Sequence, residues 1–163
     1  AALRAQNPFV TIKPYNRPLT EDIATELLAD YDLVIDGTDD VATRYVVNAA
    51  AVAANIPLVS GAISQWEGQV SVFDVARGGP CYACVFPVAA PPDLSATCAE
   101  AGVASPVPGV VGTIVAVETL KVIADAGEPL RGRMLIYDGL NSETRTIKIT
   151  RNPGCAVCGS KSG

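Results

Sequence analysis

The sequence predicts an α/β fold: a mixed sheet with parallel strands, an antiparallel strand pair near the end, and a four-cysteine metal site. Three observations point there. Apolar runs of strand length alternate with helical patterns, which is the signature of helices packed on a sheet. One of these runs, residues 31–36, stops abruptly in Asp36, Gly37, Thr38, Asp39 and Asp40 before a helical segment, as strands of parallel sheets do where ligands gather beyond their carboxyl ends. Finally, Cys81-Tyr82-Ala83-Cys84 is echoed about 70 positions later by Cys155-Ala156-Val157-Cys158.

Each cysteine pair has the two-residue gap that lets two thiolates converge on one tetrahedral metal, and two pairs supply the four ligands of a closed structural zinc site. Two other readings compete. A redox dithiol needs only one pair, placed where a strand runs into a helix, whereas Cys155 follows the turn residues Asn152-Pro153-Gly154. Two structural disulfides suit a secreted chain, but no stretch resembles a signal peptide, and a reducing, cytoplasmic setting favours metal at this spacing. Four protein ligands leave no open position for substrate, so the site implies architecture rather than chemistry.

The chain of 163 residues is one domain in length, and 49% hydrophobic against 18% charged residues is enough apolar material for a real core. No run approaches the ~20 apolar residues that span a bilayer. A net charge of -5 argues against a nucleic-acid partner, which calls for clustered Lys and Arg. The sequence has no histidine, which excludes any Ser-His or Cys-His pair within it.

In chain order, residues 1–6 read as the tail of a helix stopped at Asn7-Pro8, and residues 9–15 as an alternating strand. Leu19-Thr20-Glu21-Asp22 begins a helix running through Leu28. The strand at residues 31–36 reads as buried on both faces. Thr38 or Asp39 can cap the helix expected over residues 41–54, on which Asp40, Arg44 and Asn48 share one face as an exposed, ion-paired stripe. Residues 56–63 and 65–74 are two further strands, with Gly61 and Gly68 permitting close backbone approach. Three prolines between residues 87 and 92 mark a mobile surface loop, with the fifth cysteine, Cys98, beyond it.

Residues 109–126 form a long apolar helix with one thin polar stripe of Glu118, Lys121 and Asp125, stopped by Gly127. Such a helix needs cover on most sides, from the sheet and from a partner subunit. Residues 134–137 and 145–150 make the antiparallel pair, joined by a polar turn. Cys98 has no partner at ligand spacing, so it is either a reactive thiol or a small buried hydrophobe.

Four blocks now resemble the MoeB/ThiF family, the bacterial relatives of ubiquitin-activating enzymes. They are residues 32–40 with Arg44 and Asn48; Cys81 through Phe86; Thr97-Cys98-Ala99-Glu100-Ala101-Gly102 leading to Gly109 through Thr113; and Asn152 through Gly159. The resemblance implies the C-terminal part of a Rossmann-like sheet and adenylation, with ATP and magnesium, of the C-terminal glycine of a ubiquitin-like sulfur-carrier protein. The acyl-adenylate then accepts sulfur, from a donor such as a cysteine desulfurase or rhodanese, for molybdopterin, thiamine or related synthesis. Asp39 matches the family aspartate that holds magnesium and the ATP phosphates, a hard oxygen ligand suited to that ion. Asp40 fills the adjacent nucleotide-contact position, where the family more commonly has Asn. Cys98 matches a cysteine that in some members links covalently to the carrier or relays sulfur and in others is dispensable. Cys81, Cys84, Cys155 and Cys158 match the zinc ligands, and family members resemble homodimers.

The family's glycine-rich nucleotide loop has no counterpart in this sequence. Residues 1–163 are therefore expected to be the C-terminal portion of a single adenylyltransferase domain, inactive alone. The competing expectation is a zinc-stapled module that binds a ubiquitin-like protein without chemistry. The coding sequence upstream of Ala1 separates the two.

Overall fold

The computed structural model describes residues 2–88 and 98–159, the side chains of residues 98 and 99 excepted. Its elements are α1 (Ala2–Gln6), α2 (Glu21–Leu28), β1 (Val34–Asp36), α3 (Val41–Ala54), β2 (Leu58–Ser64), β3 (Glu67–Phe73), α4 (Tyr82–Val85), α5 (Cys98–Ala101), α6 (Pro106–Ala124), β4 (Arg133–Asp138) and β5 (Glu143–Lys148). The strands form one sheet in the order β1-β2-β3-β4-β5.

Only β1 and β2 run parallel, joined by the α3 crossover, with Val34 opposite Leu58 and Asp36 opposite Ser60. The rest is an antiparallel meander. The parallel part is therefore smaller than the sequence led one to expect. Between β2 and β3 stand only Gln65 and Trp66, enough for a hairpin and far short of the dozen or so residues a parallel crossover needs. Gln65 takes the left-handed conformation there, at φ 48°.

Strand alternation divides the core in two. Leu58 and Phe73 face one side, where Val47 and Ala51 of α3 join Tyr82, Met134 and Ile149. Val59, Val70 and Val72 face the other and pack on Val107, Val111 and Val115 of α6. Each such side chain contributes about 1.5–3 kcal/mol on burial, so the two sides are what holds the sheet. The close approach expected at two glycines is present. A methyl group on Gly61 would stand 2.8 Å from Val115 Cγ2, and one on Gly68 would overlap Val111.

Several local expectations are corrected. Residues 9–15 form no strand, because none of the described strands offers them a ladder. Ile35 is 51% exposed rather than buried, since α6, which covers that face of the sheet, packs along β2 and β3. Helix α6 closes at Asp125, in the left-handed conformation (φ 46°), two residues before Gly127. By length and composition α6 is apolar enough to cross a bilayer, contrary to the expectation from the sequence; here it lies along β2 and β3. Within its polar stripe Glu118 is buried, accepting a hydrogen bond from Leu130 N at 2.7 Å and pairing with Lys121.

Candidate functional site: the cysteine cage and the acidic strand end

Cys81 precedes the single turn of α4, and its carbonyl accepts from Cys84 N at 3.0 Å, which brings the first two sulfurs onto one side. The second pair is set by a local knuckle. Cys155 N donates to Asn152 O at 3.0 Å and Gly159 N to Cys155 O at 2.9 Å, while Asn152 Oδ1 takes Gly154 N at 2.9 Å. Gly159 is required here: a Cβ would stand 2.6 Å from Pro153 O.

The four Sγ atoms lie within 4.8 Å of one another, with Cys81–Cys84 at 3.9 Å, Cys81–Cys155 at 3.6 Å and Cys84–Cys158 at 3.3 Å. A tetrahedron of thiolates around a metal with ~2.3 Å bonds has edges of roughly 3.8 Å, so the donor set fits a bound cation. None of the four is disulfide-bonded here: the nearest sulfurs, Cys84 and Cys158, stand 3.3 Å apart against about 2.05 Å for a bond. Burial raises the Cys81 thiol above its ordinary value, and burial with the neighbouring Cys84 thiol raises Cys158. Burial, the largest single influence, pushes Cys155 up too, yet the backbone N–H groups of Cys158 and Val157 together with the Cys81 and Cys84 thiols outweigh it and lower it to about 7. A buried group of this kind ionises completely only with a cation at its centre.

The acidic strand end is built differently. Asp36, 2% exposed, accepts from Thr38 N at 2.9 Å and Thr38 Oγ1 at 2.8 Å through Oδ1, folding residues 36–38 into a tight turn. Its Oδ2 is buried with no hydrogen-bond partner among the described residues. Asp39 is exposed and lines two hollows. One, of about 210 Å³, runs over Ser60, Ser71, Phe73, Tyr82 and Met134. The other, of about 610 Å³, lies between the β1 end and Pro108, Val111 and Gly112 of α6. Arg44 lines both.

The cap of α3 is neither Thr38 nor Asp39. It is Asp40, whose Oδ2 accepts from Thr43 N at 2.7 Å and Thr43 Oγ1 at 2.5 Å. These bonds, the hydroxyl first, hold its carboxyl below the usual range. Nor is the Asp40, Arg44, Asn48 stripe exposed beyond Asp40. Arg44 and Asn48 are buried; the Arg44 guanidinium donates to Thr38 O, and Asn48 bonds at the cysteine cage. The four-residue spacing found the shared face, but only the approach of α4 decides that this face turns inward.

The structure thus brings Cys81, Cys84, Cys155 and Cys158 together and sets Asp39 and Asp40 at the N-terminal end of α3. Cys98 begins α5, and its side chain lies outside the described residues. Sequence reasoning missed Asp36 and Tyr82. A buried carboxylate at a strand end and an aromatic residue inside a cysteine pair carry no spacing signal that marks them.

Comparison with known proteins agrees with this architecture. The chain is 48% identical over 163 residues to the sulfur carrier protein adenylyltransferase of Thermus thermophilus, covering 98% of this chain and 60% of that protein. It is 43% identical over 158 residues to the molybdopterin-synthase adenylyltransferase of Salmonella typhimurium, covering 97% of this chain and 63% of that one. The chain therefore spans about 60% of the length of these curated relatives. Among solved structures, Escherichia coli MccB superposes with a TM-score of 0.77 over 98% of this chain and 48% of MccB, at 18% identity, a likeness of fold. The ThiF family model matches residues 1–157, and with a cage, a strand end and relatives that all agree, the chain belongs to the ThiF family.

Proposed function

We propose that this chain is the C-terminal portion of an adenylyltransferase that activates the C-terminal glycine of a ubiquitin-like sulfur-carrier protein with ATP and magnesium. The observation that carries the reading is the similarity along nearly the whole chain to a protein named as a sulfur carrier protein adenylyltransferase. The carrier's carboxylate oxygen would bond to the α-phosphorus of ATP as the bond to pyrophosphate breaks. Asp39 suits a magnesium-binding role, because it is an exposed carboxylate with no hydrogen-bond partner among the described residues, standing where two hollows meet. Asp40 keeps Oδ1 for a nucleotide contact while Oδ2 caps α3. The groove over Ser60, Ser71 and Tyr82 suits an extended tail.

The cysteine cage is read as a structural zinc site, since four thiolates with no open position suit that ion. Cys98 is assigned the covalent or sulfur-relay role, with a cysteine desulfurase or rhodanese as donor. The exposed apolar residues Val117, Leu120 and Ile123 of α6 support a homodimer contact. The free face of β1 and the hollow beside it suit a preceding nucleotide-binding half, in a cytoplasmic protein.

ATP–pyrophosphate exchange in the parent protein tests the reading. Carrier-dependent exchange is expected, and Asp39→Ala is expected to abolish it with the fold intact; wild-type exchange in that variant returns Asp39 to a structural role.

A further inference from the structure

We infer that Asn48 is a positioning residue of the cysteine cage, and that through it the cage holds the acidic turn in place. The inference rests on the cage holding a metal ion, as read above.

Asn48 is 1% exposed on the inner face of α3, where an amide side chain is costly unless both ends are used. Both are. Its Oδ1 accepts from Tyr82 N at 2.8 Å, and its Nδ2 donates to Cys81 Sγ at 3.8 Å. The orientation is not arbitrary. Tyr82 N can only donate, so the amide oxygen must face it and the NH₂ group must face sulfur. Within the cage, Cys84 Sγ receives a backbone donor, Asn152 N at 3.4 Å, from the knuckle itself. Cys81 also meets a donor from a side chain of α3, 33 positions away. A donor of this kind draws charge from a thiolate and fixes its direction, as partners beyond the ligands do at metal sites generally.

One turn earlier on the same face, Arg44 grips the other element. Its guanidinium donates to Thr38 O, in the turn that carries Asp39, and lines the smaller hollow together with Tyr82. The Tyr82 residue is held by α3 at its backbone through Asn48 and at its ring by Tyr45, edge-on at 5.3 Å, with Phe73 edge-on from β3 at 5.8 Å. Tyr82 is the neighbour of a cage ligand. A cation that locks Cys81 therefore locks Tyr82 and Asn48, and through α3 it also fixes Arg44 and the Thr38 carbonyl. Because α3 between Arg44 and Asn48 is a close-packed helix, the two grips move as one body. The cage then does more than staple the chain end; it sets where Asp39 stands.

Cobalt(II) in the cage is the probe. Asn48→Asp keeps an acceptor for Tyr82 N but removes the donor to sulfur, and Asn48→Leu removes both. Val59→Ala, on the α6 side of the sheet at a residue with 0% exposure, lowers stability without touching the cage. Both Asn48 variants are expected to release cobalt to a chelator about 10–100-fold faster. Their sulfur-to-cobalt charge-transfer band should move to lower energy, and Val59→Ala should leave the band in place. In the zinc-loaded wild-type protein, stripping the metal should shift the amide NMR signals of Thr38 and Asp39; in Asn48→Leu that shift should largely vanish. A wild-type band and release rate in both Asn48 variants overturns the positioning role. Unmoved Thr38 and Asp39 signals on zinc removal overturn the link to the turn. A wild-type protein that takes up neither ion removes the metal reading itself and this inference with it. Should Asn48→Leu fail to fold, Asn48→Asp carries the cobalt measurements, and Arg44→Lys, which keeps the charge but loses the fork, serves for the amide signals.

Discussion

The cysteine cage and the acidic turn both rest on α3, and they are built on opposite plans. Every sulfur of the cage has a neighbouring sulfur within hydrogen-bonding range, and Cys81, Cys155 and Cys158 are buried. At the acidic turn, Asp39 is exposed, and the buried Asp36 keeps one oxygen without a partner among the described residues. A centre that closes on itself stabilises the fold. A centre with unused oxygens is the one to which the proposed function assigns a ligand. On that proposal, the difference separates what the protein needs in order to stand from what it offers to a ligand.

The largest effect should come from breaking the closed centre. Cys155→Ser removes one of four ligands, and structural metal binding is tied to folding by about 10–16 kcal/mol in small zinc peptides. Loss of bound metal by elemental analysis and a large fall in Tm are expected, with hydrogen exchange rising first in residues 149–159 and β5. A variant with undiminished metal content and Tm would show that the cage does not bear on stability.

Asp39→Ala probes the open centre and should invert that pattern. With no bond to lose, stability should stay within about 0.5 kcal/mol by denaturant titration. On the proposed function, exchange activity should fall to background, a loss of at least the roughly 10²–10³-fold that goes with one well-placed electrostatic group. A drop in stability matching that of a buried polar loss would make Asp39 part of the scaffold.

Between the two stands Arg44, buried like the cage yet lining both hollows beside Asp39. Arg44→Met keeps most of the apolar stem and removes the charged donor to Thr38 O, a loss of about 1.5–3 kcal/mol measured by urea unfolding. Unchanged stability would mean that the turn holds itself.

The smallest effect belongs to Asp40. Asp40→Ala should cost about 1 kcal/mol, the usual value of a lost helix cap. The folded state holds this carboxyl below its ordinary value, so the unfolded chain binds the proton more tightly. The cap's contribution is therefore complete above the unfolded value of ~3.9 and fades as pH falls through the lower folded one. Unfolding followed from pH 6 to pH 2 should show less acid-side loss in Asp40→Asn than in the wild type; an identical slope would assign the loss to other carboxylates.

What the sequence determined by itself is whatever its short-range rules reach. Two-residue gaps identified the cysteine pairs, helical periodicity delimited α3, the hydrophobic run marked α6, and a polar turn between β-rich segments marked the β4–β5 hairpin. Each rests on backbone geometry repeated over two to four residues, which is local and therefore legible. The tertiary structure alone decided which faces close. Ile35 is exposed because α6 settles over β2 and β3, and β3 runs antiparallel because the chain turns at Gln65 and Trp66. Arg44 and Asn48, two turns of one polar stripe, are buried because α4 and its cysteines, 33 positions further on, come to rest against them. No periodicity within α3 encodes that contact, since burial is set by what distant residues bring to a face and not by the face itself.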